Sequence, residues 1–290
     1  MTGMRMLGPL GGGPAGPKDP ELDLDDPETN FNAMLKIRGD ISGKDFIFAF
    51  PGVAWAMVPG DGNTRVFKTF GIGAGRIEEV PEGWRIYSRE VLYFMDPDTG
   101  AILEDWSNPF LGGRKVEVFH IANDPVNGVF SREGSSVLSP PYPYIAYGDD
   151  IVFRWDFFIH RPAAMSRKDY PVYSSGDMDM HAELWGIRGR RSDVLNPDIT
   201  SGACTMSWGR VAHWLPFMEM GNSPGEMVFH SQCVKLLGGV TELPRYVLDY
   251  TEKHFPKYLE APTEWNGPQM TSQAGEFKRM IDARAGKAED

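Results

Sequence analysis

The sharpest chemical spacing in this chain is His181-x-Glu183. On a β-strand, residues two apart project from the same side, about 7 Å from each other, so an imidazole and a carboxylate can reach one atom. Two chemistries follow. In the first, His181 shuttles a proton and Glu183 fixes its tautomer. In the second, the pair ligates a divalent metal, with His160, His120 or His230 as third ligand. H-x-E also opens the zinc deaminase signature, but the Pro-Cys-x-x-Cys partner is missing, which excludes that chemistry. Arg154, Asp156 and His160 form another set, all on one side of a single strand-like run. An arginine there suits a substrate carboxylate. Asp156 is either a base or the partner of Arg154, and His160 is a further acid–base candidate. An internal Arg–Asp pair beside a hydrogen-bonded histidine is the plainer alternative.

Strands must position these groups. Phe46–Phe50, Val53–Val58, Arg65–Phe70, Trp84–Met95, Ile102–Trp106 and Lys115–Ala122 read as strands, as do Asp150–His160, Met180–Arg188, Cys204–Trp208 and Glu226–Leu237. Pro59–Asn63 and Asp96–Gly100 are strong turn signals, the second joining two strand-like runs as a hairpin. Gly71-Ile72-Gly73-Ala74-Gly75-Arg76 imitates a dinucleotide loop, but its last glycine comes one residue early and no helix-length segment follows. It reads as a flexible turn between strands. A short helix opens at Asp26-Pro27-Glu28, and the chain closes on helices at Glu242–Phe255 and Ser272–Ala285, with Ser272 as N-cap. The 33 glycines and 23 prolines make roughly a fifth of the chain, against about 12% on average. The expected architecture is therefore mainly β: an antiparallel meander closing into a barrel or a strongly curved sheet, which removes its edges, with short N-terminal and C-terminal helices. Residues 1–20 read as a flexible Gly/Pro leader and 21–290 as a single β-rich domain.

Alternation along the strands separates two faces. Ile151, Phe153, Trp155, Phe157 and Ile159 share one side; Arg154, Asp156 and His160 share the other. Tyr87 and Arg89 fall opposite Trp84 and Glu90, and His181, Glu183 and Trp185 fall opposite Met180, Ala182 and Leu184. Either the apolar sets form the core and the mixed sets face water, or the mixed sets line a cavity. The mixed faces carry aromatics and histidines rather than the Lys and Glu of a solvated face, so both readings stand. Under the second, Arg154, Tyr87, Arg89, His120, His230 and Trp185 bind substrate around His181, Glu183, Asp156 and His160.

Composition narrows the function. Twenty-nine Lys and Arg against 40 Asp and Glu give a net charge of −11, which argues against nucleic acid and anionic membrane surfaces. No apolar run approaches the roughly 20 residues of a membrane span, and the leader lacks the apolar core of an export signal. The expected location is the cytoplasm, with a small-molecule substrate as partner and a homo-oligomer open. Cys204 and Cys233 read as reduced core thiols. There is no Walker loop, nucleophile elbow or H-E-x-x-H motif.

Several turn motifs occur in a familiar order: Asp96-Pro97-Asp98-Thr99-Gly100, Trp106-Ser107-Asn108-Pro109, Asn123-Asp124-Pro125-Val126-Asn127, Trp214-Leu215-Pro216-Phe217-Met218-Glu219-Met220-Gly221 and Leu243-Pro244. In these the chain resembles a bacterial and fungal family catalogued as domain of unknown function 1838, over roughly residues 22–260. The resemblance implies a single domain and carries no catalytic residues with it. From the residues themselves, the expectation is an enzyme without a cofactor that acts on a hydrophobic, aromatic or polycyclic small molecule by acid–base chemistry in a β-barrel cavity, of lyase or isomerase type. The alternatives are a metal-dependent enzyme using the His/Glu set and a non-catalytic carrier of an apolar ligand.

Overall fold

The computed structural model describes residues 21–134 and 139–287; the expected leader lies outside them. Twelve strands and four α-helices are described. In chain order these are α1 (Pro27–Arg38), β1 (Phe46–Val58), β2 (Gly62–Val80), β3 (Gly83–Met95), β4 (Asp105–Asn108), β5 (Arg114–Glu117), β6 (Ile121–Asn123), β7 (Gly128–Ser131), β8 (Tyr144–Tyr147), β9 (Asp150–Pro162), β10 (Met178–Arg190), α2 (Arg191–Leu195), β11 (Thr205–Ala212), β12 (Glu226–Leu236), α3 (Arg245–His254) and α4 (Gln273–Arg284). One antiparallel sheet runs β6-β3-β2-β1-β12-β11-β10-β9-β8, with β7 also beside β3, and β4 pairs with β5 alone.

The mainly β expectation holds, and the sheet is strongly curved, but it is not a closed barrel. Its terminal strands are too short to pair along a seam: β6 has three residues and β8 four. Side chains bring the two ends together instead. Phe130 of β7 lies 6.0 Å from Trp155 of β9, ring centre to ring centre.

Cross-strand registers place residues in rows across the concave face. Toward one end, Phe153, Ile187, Met206 and Cys233 form an apolar row, and α1 packs there with Phe31, Met34, Leu35 and Ile37 buried. Asp26 caps that helix by accepting from Thr29 N at 2.8 Å. Gly189 is required beneath it, since a Cβ would sit 2.4 Å from Ile37 Cγ1. Buried Lys235 donates to the carbonyl of Gly39, just past the helix, at 2.8 Å and to Ser201 Oγ at 3.0 Å, which satisfies an ammonium where water is excluded. Burial still pushes its pKa down to about 8. The other end is filled by Phe67, Phe94, Trp106, Phe217 and Met227.

The convex face has its own core only over β1–β3. There Ile47, Ile72, Val91 and Tyr93 meet Leu243, Val247 and Tyr258 from α3 and its flanking turns. Tyr93 and Thr251 share a hydroxyl hydrogen bond of 2.8 Å.

Three local expectations change. Gly71, Gly73 and Gly75 sit inside the 19-residue β2, not in a turn. They are glycines because phenylalanines of β1 lie over them: a Cβ on Gly73 would come 2.9 Å from the Phe50 ring, and one on Gly75 2.6 Å from the Phe46 ring. The turn at Asp96–Gly100 forms, with Asp96 Oδ1 accepting from Thr99 N at 2.7 Å. Its return run, however, makes a single bridge, Met95 to Ile102, before β4 begins. Lys115–Ala122 splits between β5 and β6, which pair with different strands. Cys204 and Cys233 are buried free thiols, pushed up to about 11 and about 12 by burial.

Candidate active site

Between the apolar ends, the middle of the concave face is polar and aromatic. One register row runs Trp155, Trp185, Trp208, Ser231, Gly52, Thr69 across β9, β10, β11, β12, β1 and β2. The next runs Phe157, Glu183, Arg210, Phe229 across β9, β10, β11 and β12. Gly52 leaves space for the hydroxyls beside it: a Cβ there would sit 2.1 Å from Ser231 Oγ and 2.9 Å from Thr69 Oγ1. Trp185 and Trp208 lie 5.9 Å apart, and Trp208 is 5.9 Å from Phe229. Aromatic walls thus surround the ionisable groups.

Glu183 accepts from Arg210 Nη1 at 3.3 Å and from Trp185 Nε1 at 3.4 Å. His181 bonds through Nδ1 to Asp179 Oδ1 at 2.8 Å, and Arg161 Nε donates to the other carboxylate oxygen at 3.0 Å. The His181 side chain is only 5% exposed. Burial alone would raise the Asp179 carboxyl, but its bonds to His181 and Arg161 hold it at about 2. Asp179, not Glu183, therefore orients the imidazole: its carboxylate accepts the Nδ1 proton and leaves Nε2 as the second nitrogen. Glu183 belongs to a different set. Glu90 of β3 accepts from Asn123 Nδ2 at 2.8 Å and feels the charges of Glu183, Arg210 and Arg38. Burial, with the like charge of Glu183, raises its pKa above the usual carboxylate range despite Asn123 and the two arginines. Arg38, the last residue of α1, lies over the Phe48 ring at 4.6 Å. Four elements thus bring two carboxyls and two guanidiniums to one concavity.

The chain matches the model of a family described as Protein of unknown function (DUF1838) over residues 43–281. The chain belongs to this family. No curated protein matches it.

In this DUF1838 chain, polar residues of the motifs that carry the family resemblance stitch loops, while Trp106 and Phe217 of the same motifs fill one end of the concave face. Asn108 Nδ2 donates to Met218 O at 2.7 Å, Asn127 Oδ1 accepts from Ser88 N at 3.2 Å, and Asp124 pairs with Lys257 at 2.7 Å.

The sequence candidates divide between the faces. His181, Glu183 and Trp185 are together on the concave face. Arg154, Asp156 and His160 are on the convex face, where Arg154 pairs with Asp156 at 3.4 Å; in the β9 register His160 stands beside Met180, one residue away from His181 in the alternation. A metal site of His181, Glu183 and His160 is thereby split, and among the described residues no three His, Cys, Asp or Glu side chains gather as metal ligands. His230 is also convex and contacts Gln232 Nε2 at 3.3 Å. His120 belongs to the outer core, stacked edge-on against Tyr93 at 5.4 Å and accepting from Phe94 N at 3.2 Å. Arg89 donates to Lys257 O at 2.8 Å. Tyr87 bonds Glu78 and packs on Trp265, its pKa raised by burial and then by Glu78.

Tyr87 also borders a cavity of about 440 Å³ lined by Arg76, Glu78, Glu79 and Trp84. Two of its charges are engaged, Arg76 with Asp45 at 2.6 Å and Glu79 with Arg132 at 3.0 Å. The concave face, with a desolvated carboxyl, is the better seat for chemistry. Asp179, Arg210, Glu90 and Arg38 are absent from the sequence-based set. Parity would have found two of them: Asp179 alternates with His181, and Glu90 with Trp84.

Proposed function

We propose that this protein is an enzyme that acts on a hydrophobic, aromatic small molecule by acid–base chemistry in the concave cleft, as a lyase or isomerase. The observation that carries the reading is Glu90: a carboxyl with a raised pKa, facing Glu183 and two arginines inside an aromatic-walled concavity. Two carboxyls whose environments differ are the usual signature of an acid and a base in one site. Glu90, whose burial and like-charged neighbour Glu183 favour the protonated form, is the acid. Glu183, bonded by Arg210 and Trp185, is the carboxylate base, and His181 on Asp179 is the shuttle nearer the rim. Moving a proton between carbons, or losing water across a bond, needs such proton transfers and a stabilised oxyanion.

The test uses 2-tetralone in deuterated buffer. Abstraction of its α-proton by a carboxylate, with return of a deuteron from solvent, is read by NMR. The wild-type protein is expected to accelerate exchange, and Glu90→Gln and Glu183→Gln each to lower the rate about 100-fold, within the range for general acid–base groups. Unchanged exchange in both variants removes the proposal, and binding without exchange converts it to the carrier reading.

A further inference from the structure

Polar atoms on the concave face are unevenly matched. Among the described residues, Trp84 Nε1, Trp155 Nε1, Trp208 Nε1, Arg38 Nη1 and Arg210 Nε are buried without a hydrogen-bond partner on this face. Each is a donor only. Against these five stands one acceptor-only atom, Asn123 Oδ1; Thr69 and Ser231 offer hydroxyls that act either way. Trp155 and Trp208 are 8% exposed, Thr69 3% and Ser231 2%. Native interiors leave only a few such groups in a whole domain; here Trp155, Trp208, Ser231 and Thr69 share one register row and Arg210 stands in the next. Elsewhere in the same lining, donors are satisfied: Trp185 Nε1 and Arg210 Nη1 both reach Glu183. On the convex side Arg89 Nε is such a donor, so the surplus gathers on the concave face without being confined to it.

Resting on the reading of this cleft as an aromatic-ligand site, we infer that its ligand presents acceptor oxygens, a carboxylate or an enolisable oxo group, to Trp155, Trp208, Arg38 and Arg210. The ring system lies among Trp185, Phe157 and Phe229, and the oxygen points to the floor between the two indoles. A cationic ligand has the wrong polarity, since it would set its own donors against indole and guanidinium N–H groups.

Calorimetric titration of the full chain with three naphthalenes tests this: 2-naphthoate, 2-acetylnaphthalene and naphthalen-2-ylmethylammonium. At least one of the two oxygen-bearing probes is expected to bind about tenfold or more tighter than the ammonium, the scale of one hydrogen bond to a charged group. Their ratio tells carboxylate from neutral oxo recognition. Trp155→Phe and Trp208→Phe keep the ring and remove the N–H; each is expected to weaken the preferred oxygen-bearing probe severalfold and leave the ammonium unchanged. An ammonium that binds as tightly as the tighter of the two oxygen probes, or two tryptophan variants with unaltered affinity, overturns the inference while the cleft remains a ligand site. If none of the three binds, the aromatic-ligand reading falls and takes this inference with it.

Discussion

Along β10 the inward residues are Asp179, His181, Glu183, Trp185 and Ile187, and the outward ones include Met180, Ala182 and Leu184. On neighbouring β9 the inward set is Ile151, Phe153, Trp155 and Phe157, while Arg154, Asp156 and His160 point out. The two strands thus turn opposite kinds of residue inward. Met180 is 54% exposed and Leu184 45%, and a register row of Phe158, Ala182, Val211, Val228 and Trp55 crosses five strands on the outside. Mean hydropathy of a face does not say which way it points. What distinguishes the inner face is the company of its charges: Glu183 meets Arg210 and Glu90 meets Asn123 across strands, beside Trp185, Trp208 and Phe229. On the outer face Arg154 finds Asp156 two residues along its own strand.

The largest expected difference between the faces is in stability. Phe153 is fully buried and Phe158 is 39% exposed. Phe153→Ala is expected to destabilise by about 3–5 kcal/mol through lost burial and a cavity, and Phe158→Ala by about 0.5 kcal/mol or less, both by denaturant titration. Similar losses at the two positions would mean that the outer row is covered in solution.

Next comes pH. His120, in the outer core, has its pKa lowered from 6.5 to about 4, chiefly by burial and secondarily by His254. The folded protein then binds fewer protons than the unfolded chain between these values. Stability should fall as pH drops from about 6.5 to 4, by about 3 kcal/mol in all. Asp179, on the inner face, follows the same sign in a lower window and for a different reason, since its bonds to His181 and Arg161 favour the charged form: its contribution is complete above the usual carboxylate pKa and is lost as pH falls toward 2. His120→Asn, which keeps an acceptor for Phe94 N, is expected to flatten the upper window alone. A slope that survives this substitution assigns it elsewhere.

Much of this was legible in the residues. The strands expected at Glu226–Leu237 and Met180–Arg188, found at Glu226–Leu236 and Met178–Arg190, and the Ser272 cap follow from alternation and capping chemistry, which are local. Parity grouped Glu90 with Trp84 and His181 with Glu183 for the same reason. What stayed hidden depends on distant chain. Whether Arg154 or Phe153 faces inward is set by which side α1 covers, some 120 residues earlier. The glycines of β2 look like a turn until Phe46 and Phe50 are known to lie across them. Open curvature instead of closure follows from the shortness of β6 and β8, which only pairing reveals.

Two smaller effects sharpen the contrast between faces. Asp179→Asn should slow 2-tetralone exchange roughly tenfold, the worth of one charge-assisted hydrogen bond, and shift the pH profile of the rate, because the imidazole loses the partner that sets its tautomer. A purely structural role would lower the amount of folded protein and leave the profile in place.

The smallest effect is expected at the convex triad. Arg154→Ala, Asp156→Asn and His160→Ala change polar groups that lie on the far side of the sheet from Glu90, with the Arg154–Asp156 pair half-exposed and screened by solvent. Each should leave exchange within about twofold of wild type, since surface changes of this kind move stability by only about 0.5 kcal/mol. The three are spaced two and four residues apart along β9, so they sample most of its outer face. A tenfold loss in any one of them would place chemistry on the convex side and reverse the assignment of the two faces, whatever the concave variants do.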